Sequence, residues 1–384
     1  THAAGTLPPA TTGEPTIFPA QLDGHVIVPA RSRLAAPPDA PADLQSSGKF
    51  TTRRRLAPNE HVQGRSGGRP TGVFLPFDGQ PIQGHSGIQH MADGSYWVLT
   101  DNGAGTKANS PDFMLDLNHY QVDFKQGGLQ RLGTVLLHDP DKKVPFRIVH
   151  ESTDRRYLTG ADFDPESLQI TQDALWIGDE FGPYLIKADL NGKILAVFET
   201  LVEGRVVRSP DHPSLTTPAQ PGAKLEFEVQ RSRGFEGMAA SPDGSKLYAL
   251  LEGPLWDGRQ QGYEQIEGQT VLRVLEFDTR SEQWTGRFWF YPLQASGHAI
   301  GDFNLIDAQS TPNGQSVVGL VIERDSGEGT ADRACPTDAP RPDCFSQIAQ
   351  FKRIYKVAFG DDNVGQRLRK IGSIDLLAIQ DPEH

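Results

Sequence analysis

The feature that most constrains the fold of this chain is a pattern of four short strands that recurs four times between residues 84 and 372. Each copy holds two strands joined by a tight turn and two further strands after a loop. Turns such as Asp93-Gly94 and Asn191-Gly192 between alternating apolar strands are strong hairpin signals. Repeats of four antiparallel strands are typical of β-propeller blades. The sequence therefore predicts an all-β propeller; a β-sandwich is the alternative, but it does not account for a repeated order of turns.

The four copies are longer than the repeats of compact propellers. Their first strands, taken at Ser86, Pro165, Phe235 and Phe303, are 79, 70 and 68 residues apart, whereas compact propeller repeats take about 40 to 50 residues. The excess lies mainly in the loops between second and third strands, and long loops in a compact domain are usually functional or disordered. Forty glycines and 29 prolines agree with a turn-rich, all-β chain.

The sequence divides into two parts. Residues 1–70 are rich in Pro, Ala, Gly and Arg and are predicted to be an extended or irregular segment with one strand, at His25–Val28. Residues 71–384 are predicted to form the propeller, and whether its final blade is complete stays open. The tryptophans are assigned to packing within the blades: Trp97, Trp176, Trp256, Trp284 and Trp289.

Two features indicate an exported protein. The chain begins at Thr1 in a Pro/Ala/Thr-rich stretch without an initiator methionine, as expected of a mature protein whose export signal has been removed, or of a trimmed chain. Cys335 and Cys344 lie in one polar, Pro-rich segment, and in an exported protein we expect a disulfide between them rather than two free thiols. We therefore predict a secreted or periplasmic protein. No apolar run approaches the roughly 18 residues needed to span a bilayer.

The predicted topology collects carboxylates at one edge of the propeller. In a four-stranded meander the start of the first strand lies beside the end of the second, so residues at these positions meet near the central channel. One such stretch, Leu175–Tyr184, runs from an apolar strand directly into Asp179 and Glu180. The residues expected at this edge are His85, Ser86, Asp162, Asp164, Glu166, Glu236, Asp302 and Asn304 from first strands, and Asp101, Asn102, Asp179, Glu180, Glu252, Glu323 and Asp325 from second strands.

Clustered carboxylates imply bound cations or compensating arginines, because buried like charges repel. Calcium takes about six to eight oxygen ligands, which these side chains provide, and no His/Cys cluster with zinc spacing is present. The net charge of −12 also suits cation binding and argues against a nucleic-acid partner. We predict a Ca²⁺ site, with an ion that merely ties blades together as the alternative for any single acid. The predicted ligands are Asp101, Glu166, Asp179, Glu180, Glu236, Glu252, Asp302 and Glu323.

Basic side chains beside these acids are predicted to hold an anionic substrate, since a guanidinium matches phosphate oxygens. The predicted binding residues are Arg233, Arg156, His85 and Lys107. For catalysis we predict Glu236 or Glu323 as the general base, Arg324 as an anion clamp and His298 as a proton donor. The alternatives are structural ion pairs for the basic residues and ordinary loop positions for the histidines. No nucleophile-elbow motif surrounds a serine, which argues against a serine hydrolase.

Four motifs in this order resemble a known family, the phytase-like β-propellers with esterase-like activity of phytase. The motifs are Asp162–Ser167, Gly178–Pro183, Gly234–Ala239 and Ile322–Asp325, and the resemblance covers about residues 84 to 380. It implies an exported, mostly bacterial propeller with metal-dependent hydrolysis of phosphoesters or esters. Such proteins usually continue past the equivalent of Ala378 with a further blade. The resemblance therefore implies five or six blades, six for the complete fold, with the strand at Val26 available to close the ring.

Taken together, the sequence predicts a calcium-dependent hydrolase of phosphate esters that acts on a small anionic ester at the mouth of the propeller channel. Two alternatives stay open. One is a metal-dependent carboxylesterase or lactonase that uses the same site, and the other is a non-catalytic propeller binding module with structural calcium. Protein partners are unknown.

Overall fold

The computed structural model describes residues 13–51, 54–171, 173–312, 314–336 and 343–382. Over these residues the chain is all-β, as predicted, and contains no α-helix. Its helical segments are short 3-10 turns at Ala42–Leu44, Lys107–Asn109, Ala331–Arg333, Asp361–Asn363 and Leu376–Ala378. Among the described residues, no helix has the length and apolar character to cross a membrane.

Four antiparallel sheets form the blades of a propeller. Blade 1 consists of His85–His90, Tyr96–Thr100, Asp116–Asp123 and Gly128–Leu136. Blade 2 consists of Pro165–Ile170, Leu175–Asp179, Tyr184–Ala188 and Ile194–Glu199. Blade 3 consists of Phe235–Ala240, Lys246–Leu251, Gln269–Asp278 and Gln283–Pro292. Blade 4 consists of Ala299–Thr311, Gly314–Arg324, Lys352–Gly360 and Arg369–Asp375.

The ring closes with these four blades. The first strand of each blade contacts the first strand of the next, and blade 4 contacts blade 1. At that junction the backbone N–H of Ile88 donates a hydrogen bond to the Asp302 carboxylate at 3.3 Å. Over the described residues the prediction of five or six blades is therefore wrong, and the four repeats visible in the sequence are the four blades.

Small residues let the inner strands of this ring lie close together. A Cβ on Gly87 in blade 1 would stand 2.7 Å from the backbone nitrogen of Leu168 in blade 2. A Cβ on Gly237 in blade 3 would stand 2.8 Å from the Cβ of Phe303 in blade 4. Side chains at these two positions would force the blades apart, because real Cβ atoms do not tolerate such contacts.

The hydrophobic core lies mainly between neighbouring blades. One cluster joins blades 1 and 2 and includes Leu117 and Ile177, and a second joins blades 2 and 3 and includes Trp176. A third joins blades 3 and 4 and includes Trp289 and Phe303. Blades 2 and 3 therefore bury both faces against neighbouring blades, which is why their strands carry long apolar runs. The other face of blade 1 packs against Ile82, Val28 and Leu34 of the preceding segment.

The N-terminal segment adds a strand to blade 4. Thr16–Ile17 pairs in parallel with Arg369–Asp375, so blade 4 has four strands of its own and a fifth at its outer edge. The predicted strand at His25–Val28 is wrong, because the backbone there is irregular. Thr16–Ile17 pairs instead because Gly372 leaves room for the ring of Phe18, which a Cβ at that glycine would meet at 2.7 Å.

Short hairpins and loops cover the rest of the described chain. The pairs before blade 1 are Arg33–Leu34 with Gln80–Pro81, Ser46–Ser47 with Phe77–Asp78, Phe50–Thr51 with Arg54–Arg55, and Val62–Ser66 with Arg69–Leu75. The later pairs are Leu201–Val202 with Arg205–Val206, Trp256–Asp257 with Gly262–Tyr263, and Gln265–Ile266 with the start of Gln269–Asp278. The predicted disulfide between Cys335 and Cys344 is present, in the loop between the second and third strands of blade 4.

Candidate active site

The first strands of the blades share an irregularity near the mouth of the channel. Their pairing with the second strands skips one residue in blade 2, Glu166, and one in blade 3, Glu236. Ser86 in blade 1 and Asp302 in blade 4 lie in the corresponding interruptions. A bulge of this kind leaves a residue unpaired and re-aims its side chain. Three of these residues, Ser86, Glu166 and Glu236, line one cavity.

The ends of the second strands provide the other side of this cavity. Opposite the starts of the first strands lie four equivalent, buried residues: Thr100, Asp179, Leu251 and Glu323. Side chains alternate along a strand, so the following residue in each blade points to the other face. Those following residues are Asp101, Glu180, Glu252 and Arg324, and the last three line the cavity.

Asp179 fixes the loop that presents Glu180. Its carboxylate accepts hydrogen bonds from the backbone N–H groups of Asp164 at 2.8 Å, Gly182 at 2.8 Å and Tyr184 at 3.3 Å. Gly234 packs against this loop, where a Cβ would stand 2.6 Å from the Cα of Glu180. The sequence after the second strand of blade 2 therefore folds into an ordered turn, because one buried carboxylate satisfies its amides.

The cavity, called the acid cavity below, has a volume of about 480 Å³. Its lining is entirely polar and combines four glutamates with three arginines and two serines. The lining residues are Ser86, Glu166, Glu180, Arg231, Ser232, Arg233, Glu236, Glu252 and Arg324.

Two groups of three carboxylates share Glu180. Oxygens of Asp164, Glu166 and Glu180 lie within 4.8 Å of one another, and so do oxygens of Glu180, Glu236 and Glu252. The Oε1 atom of Glu180 is buried and has no hydrogen-bond partner among the described residues. A buried carboxylate oxygen without a donor is costly. The two groups therefore form a site that a bound cation would stabilise.

Burial and mutual repulsion raise the pKa values of these carboxyl groups. Burial, assisted by the charge of Asp101, raises the pKa of Asp164 to about 8. Burial, assisted by the charge of Glu252, raises the pKa of Glu236 to about 8. Burial and the charge of Glu236 hold the pKa values of Glu166 and Glu180 well above their usual range. A proton and a cation therefore compete for the same oxygens near neutral pH.

Two arginines close the other side of the cavity. Nη1 of Arg233 lies 2.9 Å from Oε1 of Glu252, and Nη2 of Arg324 lies 3.4 Å from the same oxygen. Both side chains are about 40% exposed. Each guanidinium has five N–H groups, so donors remain for an anion in the cavity. At the rim, Arg231 pairs with Asp211.

The residues present fit a hard divalent cation. Five carboxylates offer oxygen ligands, and neither group includes histidine or cysteine. Oxygen-only sites with irregular geometry suit Ca²⁺, whereas structural zinc sites use cysteine and histidine. Glu166, Glu180, Glu236 and Glu252 are thus brought together as predicted ligands, and the identity of the ion stays a prediction.

Asp101 and Asp302 lie beside the acid cavity rather than in its lining. Asp101 accepts a hydrogen bond from the backbone N–H of Gly103 at 2.7 Å, and burial raises its pKa to about 6. Asp302 accepts hydrogen bonds from the Asn304 amide at 3.0 Å and from the backbone of Ile88, and burial raises its pKa to about 7. Both add negative potential to the site.

Glu323 and His298 lie together, among residues that are not part of the cavity lining. The Glu323 carboxylate accepts hydrogen bonds from the hydroxyl of Tyr291 at 2.8 Å, the backbone N–H of Gln294 at 2.7 Å and the ammonium of Lys370 at 2.7 Å. His298 Nδ1 lies 2.9 Å from the same carboxylate. Glu323 is fully buried and belongs to neither carboxylate group. The structure therefore does not bring these two predicted catalytic residues into the cavity.

The remaining predicted binding residues also lie outside the cavity lining. Arg156 is buried and pairs with Asp139 at 3.2 Å and Glu151 at 2.7 Å. The ammonium of Lys107 donates to the carbonyl of Asp211 at 3.3 Å. These contacts give both residues structural partners.

His85 lies next to Ser86, but its side chain is turned to Tyr120. The Nε2 atom of His85 and the hydroxyl of Tyr120 are 3.1 Å apart, and the two rings are in contact. The histidine is therefore held beside the cavity and is not one of its lining residues.

Four residues of the site were not selected from the sequence. Asp164 and Ser86 were expected at this edge but were not assigned a role, although Asp164 belongs to the Asp162–Ser167 motif. Arg231 and Ser232 carry no sequence signal except their place in the run Arg231-Ser232-Arg233 before Gly234. They join the site because this segment folds back beside Glu252, whose backbone N–H donates to the carbonyl of Gly234 at 2.8 Å.

Comparison with known protein families gives one match over most of the chain. The sequence profile of a family described as phytase-like, esterase-like activity of phytase, matches residues 80–384. A protein of Arthroderma benhamiae described as an uncharacterized secreted protein is 30% identical over 124 residues, an alignment that covers 30% of this chain and 24% of that protein. The chain thus spans about a quarter of the length of that relative.

Solved structures similar to this chain share little sequence with it. The periplasmic gluconolactonase of Pseudomonas aeruginosa is 12% identical with a TM-score of 0.26, and the alignment covers 85% of this chain and 96% of that one. Hydrazine synthase of Kuenenia stuttgartiensis is 11% identical with a TM-score of 0.26, and the alignment covers 73% of this chain and 65% of that one.

Proposed function

The chain belongs to the phytase-like family, with its esterase-like activity of phytase, and on that basis we propose that it is a calcium-dependent hydrolase of phosphate esters. The observation that carries the proposal is the acid cavity, in which two groups of carboxylates share Glu180 and face Arg233 and Arg324. A cation site next to guanidinium groups that still have N–H donors available is suited to a substrate that carries negative charge on oxygen.

Asp164, Glu166, Glu180, Glu236 and Glu252 are the residues that would hold the ion. When bound, a divalent cation would supply positive charge and Lewis acidity toward an ester oxygen. The unpartnered Oε1 of Glu180 supports this assignment, because it lacks any donor among the described residues.

Arg324 and Arg233 orient the anion in this proposal. Both hold Glu252 through one nitrogen and keep other N–H groups for phosphate oxygens. Glu236 is the proposed general base, because it lines the cavity, is half-buried and, unlike Glu252, forms no ion pair with Arg233 or Arg324. Glu323 is not a candidate for that role, since its carboxylate is engaged by four other groups.

We place the protein outside the cytoplasm, in a secreted or periplasmic location. The disulfide between Cys335 and Cys344 supports this proposal, because such bonds persist in oxidising compartments. The description of the Arthroderma benhamiae relative as secreted agrees with it.

A hydrolysis assay tests the proposal. It compares wild type with Glu236→Gln on a chromogenic phosphomonoester, a phosphodiester and a carboxylic ester, with calcium and after chelation. We expect phosphoester turnover that requires calcium and falls by at least about a hundredfold in Glu236→Gln, since loss of a positioned general base costs 10²–10⁴. The matched control is Glu267→Gln, which changes a glutamate on the same blade that is 81% exposed and should keep full activity.

Other outcomes point to other functions. Turnover of the carboxylic ester alone would replace the phosphoesterase by a metal-dependent esterase or lactonase. No turnover of any ester, with a melting temperature that still rises on calcium addition, would replace the enzyme by a binding module with a structural ion.

A further inference from the structure

A second cavity, called the side cavity below, lies against blade 3 and has a volume of about 650 Å³. It is enclosed by the loop that follows blade 2, around residues 202–230, and by the hairpin of Trp256–Asp257 and Gly262–Tyr263. The volume lies within the range of small-molecule sites, about 300 to 1,000 Å³. None of the predictions from sequence placed a site here.

The side cavity and the acid cavity share their walls. Along one segment, Arg231–Arg233 borders the acid cavity and Glu228–Gln230 borders the side cavity. Along another, Glu252 borders the acid cavity and Leu255–Asp257 borders the side cavity. The two segments run side by side, with the backbone N–H of Trp256 donating to the carbonyl of Glu228 at 2.8 Å. The two cavities are therefore neighbours on either side of the same two chain segments.

Aromatic side chains form one wall of the side cavity. Trp256 was expected to pack within a blade, yet it is 36% exposed, and Tyr263, its partner across the hairpin, is 41% exposed. The two rings meet edge to face, with centroids 5.2 Å apart. Each of these exposed rings offers an apolar face and a polar edge, a combination typical of ligand and interface surfaces.

The rest of the lining mixes donors and acceptors without a net charge that would attract an anion. It holds four basic and five acidic residues. Among them Arg205, Lys224, Glu226 and Arg259 make no ion pair with the described residues. Such a lining suits a neutral ligand with many hydroxyl groups, because each hydroxyl both donates and accepts hydrogen bonds.

A buried donor without a partner lies in the same lining. The side chain of Arg273 is 7% exposed, and Glu264 holds its Nη2 at 2.6 Å. The rings of Phe288 and Phe290 flank its guanidinium at 4.3 Å and 5.0 Å. Its Nη1 has no hydrogen-bond acceptor among the described residues. Arg273 is therefore a fixed, buried part of the cavity wall that holds Glu264 in place.

We propose that the side cavity binds the sugar part of the substrate while the phosphate group occupies the acid cavity. The substrate class is then a phosphate ester carried on a sugar or glycan. The apolar face of the sugar ring packs on the ring of Trp256 beside Tyr263, and its hydroxyl groups bond to the charged groups of the lining that make no ion pair. This inference rests on the proposed function for the phosphate half of the substrate, whereas the sugar half is testable by itself.

The test measures binding of neutral trisaccharides, namely cellotriose, maltotriose and chitotriose, to the intact chain with calcium, by tryptophan fluorescence and calorimetry. We expect saturable binding of at least one of them, weakened at least about tenfold in Trp256→Ala and little changed in Trp256→Phe, which keeps an aromatic face. The matched control is Phe124→Ala, another exposed aromatic residue, on blade 1. Unchanged hydrolysis of a small chromogenic phosphoester by Trp256→Ala shows that this variant is folded.

The outcomes separate this inference from the proposed function. A Glu236→Gln variant that hydrolyses nothing should still bind the sugar, because the two cavities do different work. The inference is overturned if none of the three sugars binds at concentrations up to about 10 mM, well into the range of weak affinity, or if Trp256→Ala binds them as well as wild type. Either result would leave phosphoester hydrolysis by the acid cavity untouched.

Discussion

At the scale of single residues, a difference of one position at the end of each second strand decides which acids face the cavity. Asp179 and Glu323 occupy the buried position, whereas Glu180 and Arg324, one residue later, line the cavity. Because side chains alternate along a strand, a shift of one position moves a side chain from one face of the blade to the other. The buried position carries its own chemistry, since Asp179 satisfies backbone amides and Glu323 neutralises Lys370.

Glu323→Gln should destabilise the fold and leave calcium binding intact. The substitution leaves the ammonium of Lys370, whose side chain is 11% exposed, without a counter-charge. Breaking a buried pair from one side costs about 3 to 5 kcal/mol. Urea denaturation would measure the loss, and the calcium-dependent rise in melting temperature should persist. A variant with wild-type stability that no longer responds to calcium would place Glu323 in the metal site after all.

At the scale of the elements, two departures from regular strand pairing shape this ring: bulges in the first strands and an added strand at the edge of blade 4. Bulges in the first strands release Glu166 and Glu236 from the ladder and turn them to the cavity. At the outer edge of blade 4, Thr16–Ile17 covers strand Arg369–Asp375, which would otherwise expose unpaired backbone groups. The first departure builds the site, and the second protects the blade that closes the ring.

Phe18→Pro should weaken the hold of the N-terminal strand on blade 4. Proline removes the backbone N–H of Phe18, which donates to the carbonyl of Ser373 at 2.8 Å, and we expect a loss of about 1 to 3 kcal/mol. The control is Phe18→Ala, which keeps this hydrogen bond and removes only the ring packed at Gly372. Thermal unfolding of both variants measures the effect. If proline costs no more than alanine, the backbone pairing contributes nothing measurable.

At the scale of the whole molecule, the propeller concentrates acids from all four blades at one end of its channel. Asp101, Asp164, Glu236 and Asp302 come from blades 1 to 4 in turn, and burial raises the pKa of each. Carboxylates of different blades thus repel one another at the centre of the fold. A bound cation would offset this repulsion, link the blades and complete the site.

The metal-free protein should lose stability as pH rises from about 5 to about 9. Carboxyl groups whose pKa is raised on folding bind protons more tightly in the folded state, so deprotonation through that window favours unfolding. The groups concerned titrate at about 6 for Asp101, about 7 for Asp302 and about 8 for Asp164 and Glu236. Paired surface acids with a lowered pKa, such as Asp243 at about 2, titrate below this window.

The measurement is urea denaturation in a chelator across this pH range, repeated with calcium. Calcium should restore stability most at the alkaline end, where no proton competes for the ligands. Stability of the metal-free protein that stays flat or rises with pH would show that these carboxylates are not repelling one another.

Much of this molecule follows from patterns that are local in the chain. Alternating apolar residues and Asp-Gly or Asn-Gly turns predicted the four repeats of four strands that form the blades, because strand and hairpin preferences act between near neighbours. The meander rule also predicted that Glu166, Glu180, Glu236 and Glu252 would meet at one edge. The number of blades did not follow from local patterns: the family resemblance implies five or six, whereas closure of a ring depends on contacts between strands far apart in the chain.

The sequence by itself therefore determined the strands, their order within each blade and the acidic edge, since these depend on residues close together in the chain. Only the tertiary structure decided that four blades close the ring, that Glu323 pairs with Lys370, and that Arg231 joins the cavity. It also decided that Trp256 stands exposed beside a second cavity. These features depend on bulges, on which face of a strand each side chain points to, and on contacts between segments far apart in sequence. Patterns that are local in the chain do not encode such contacts.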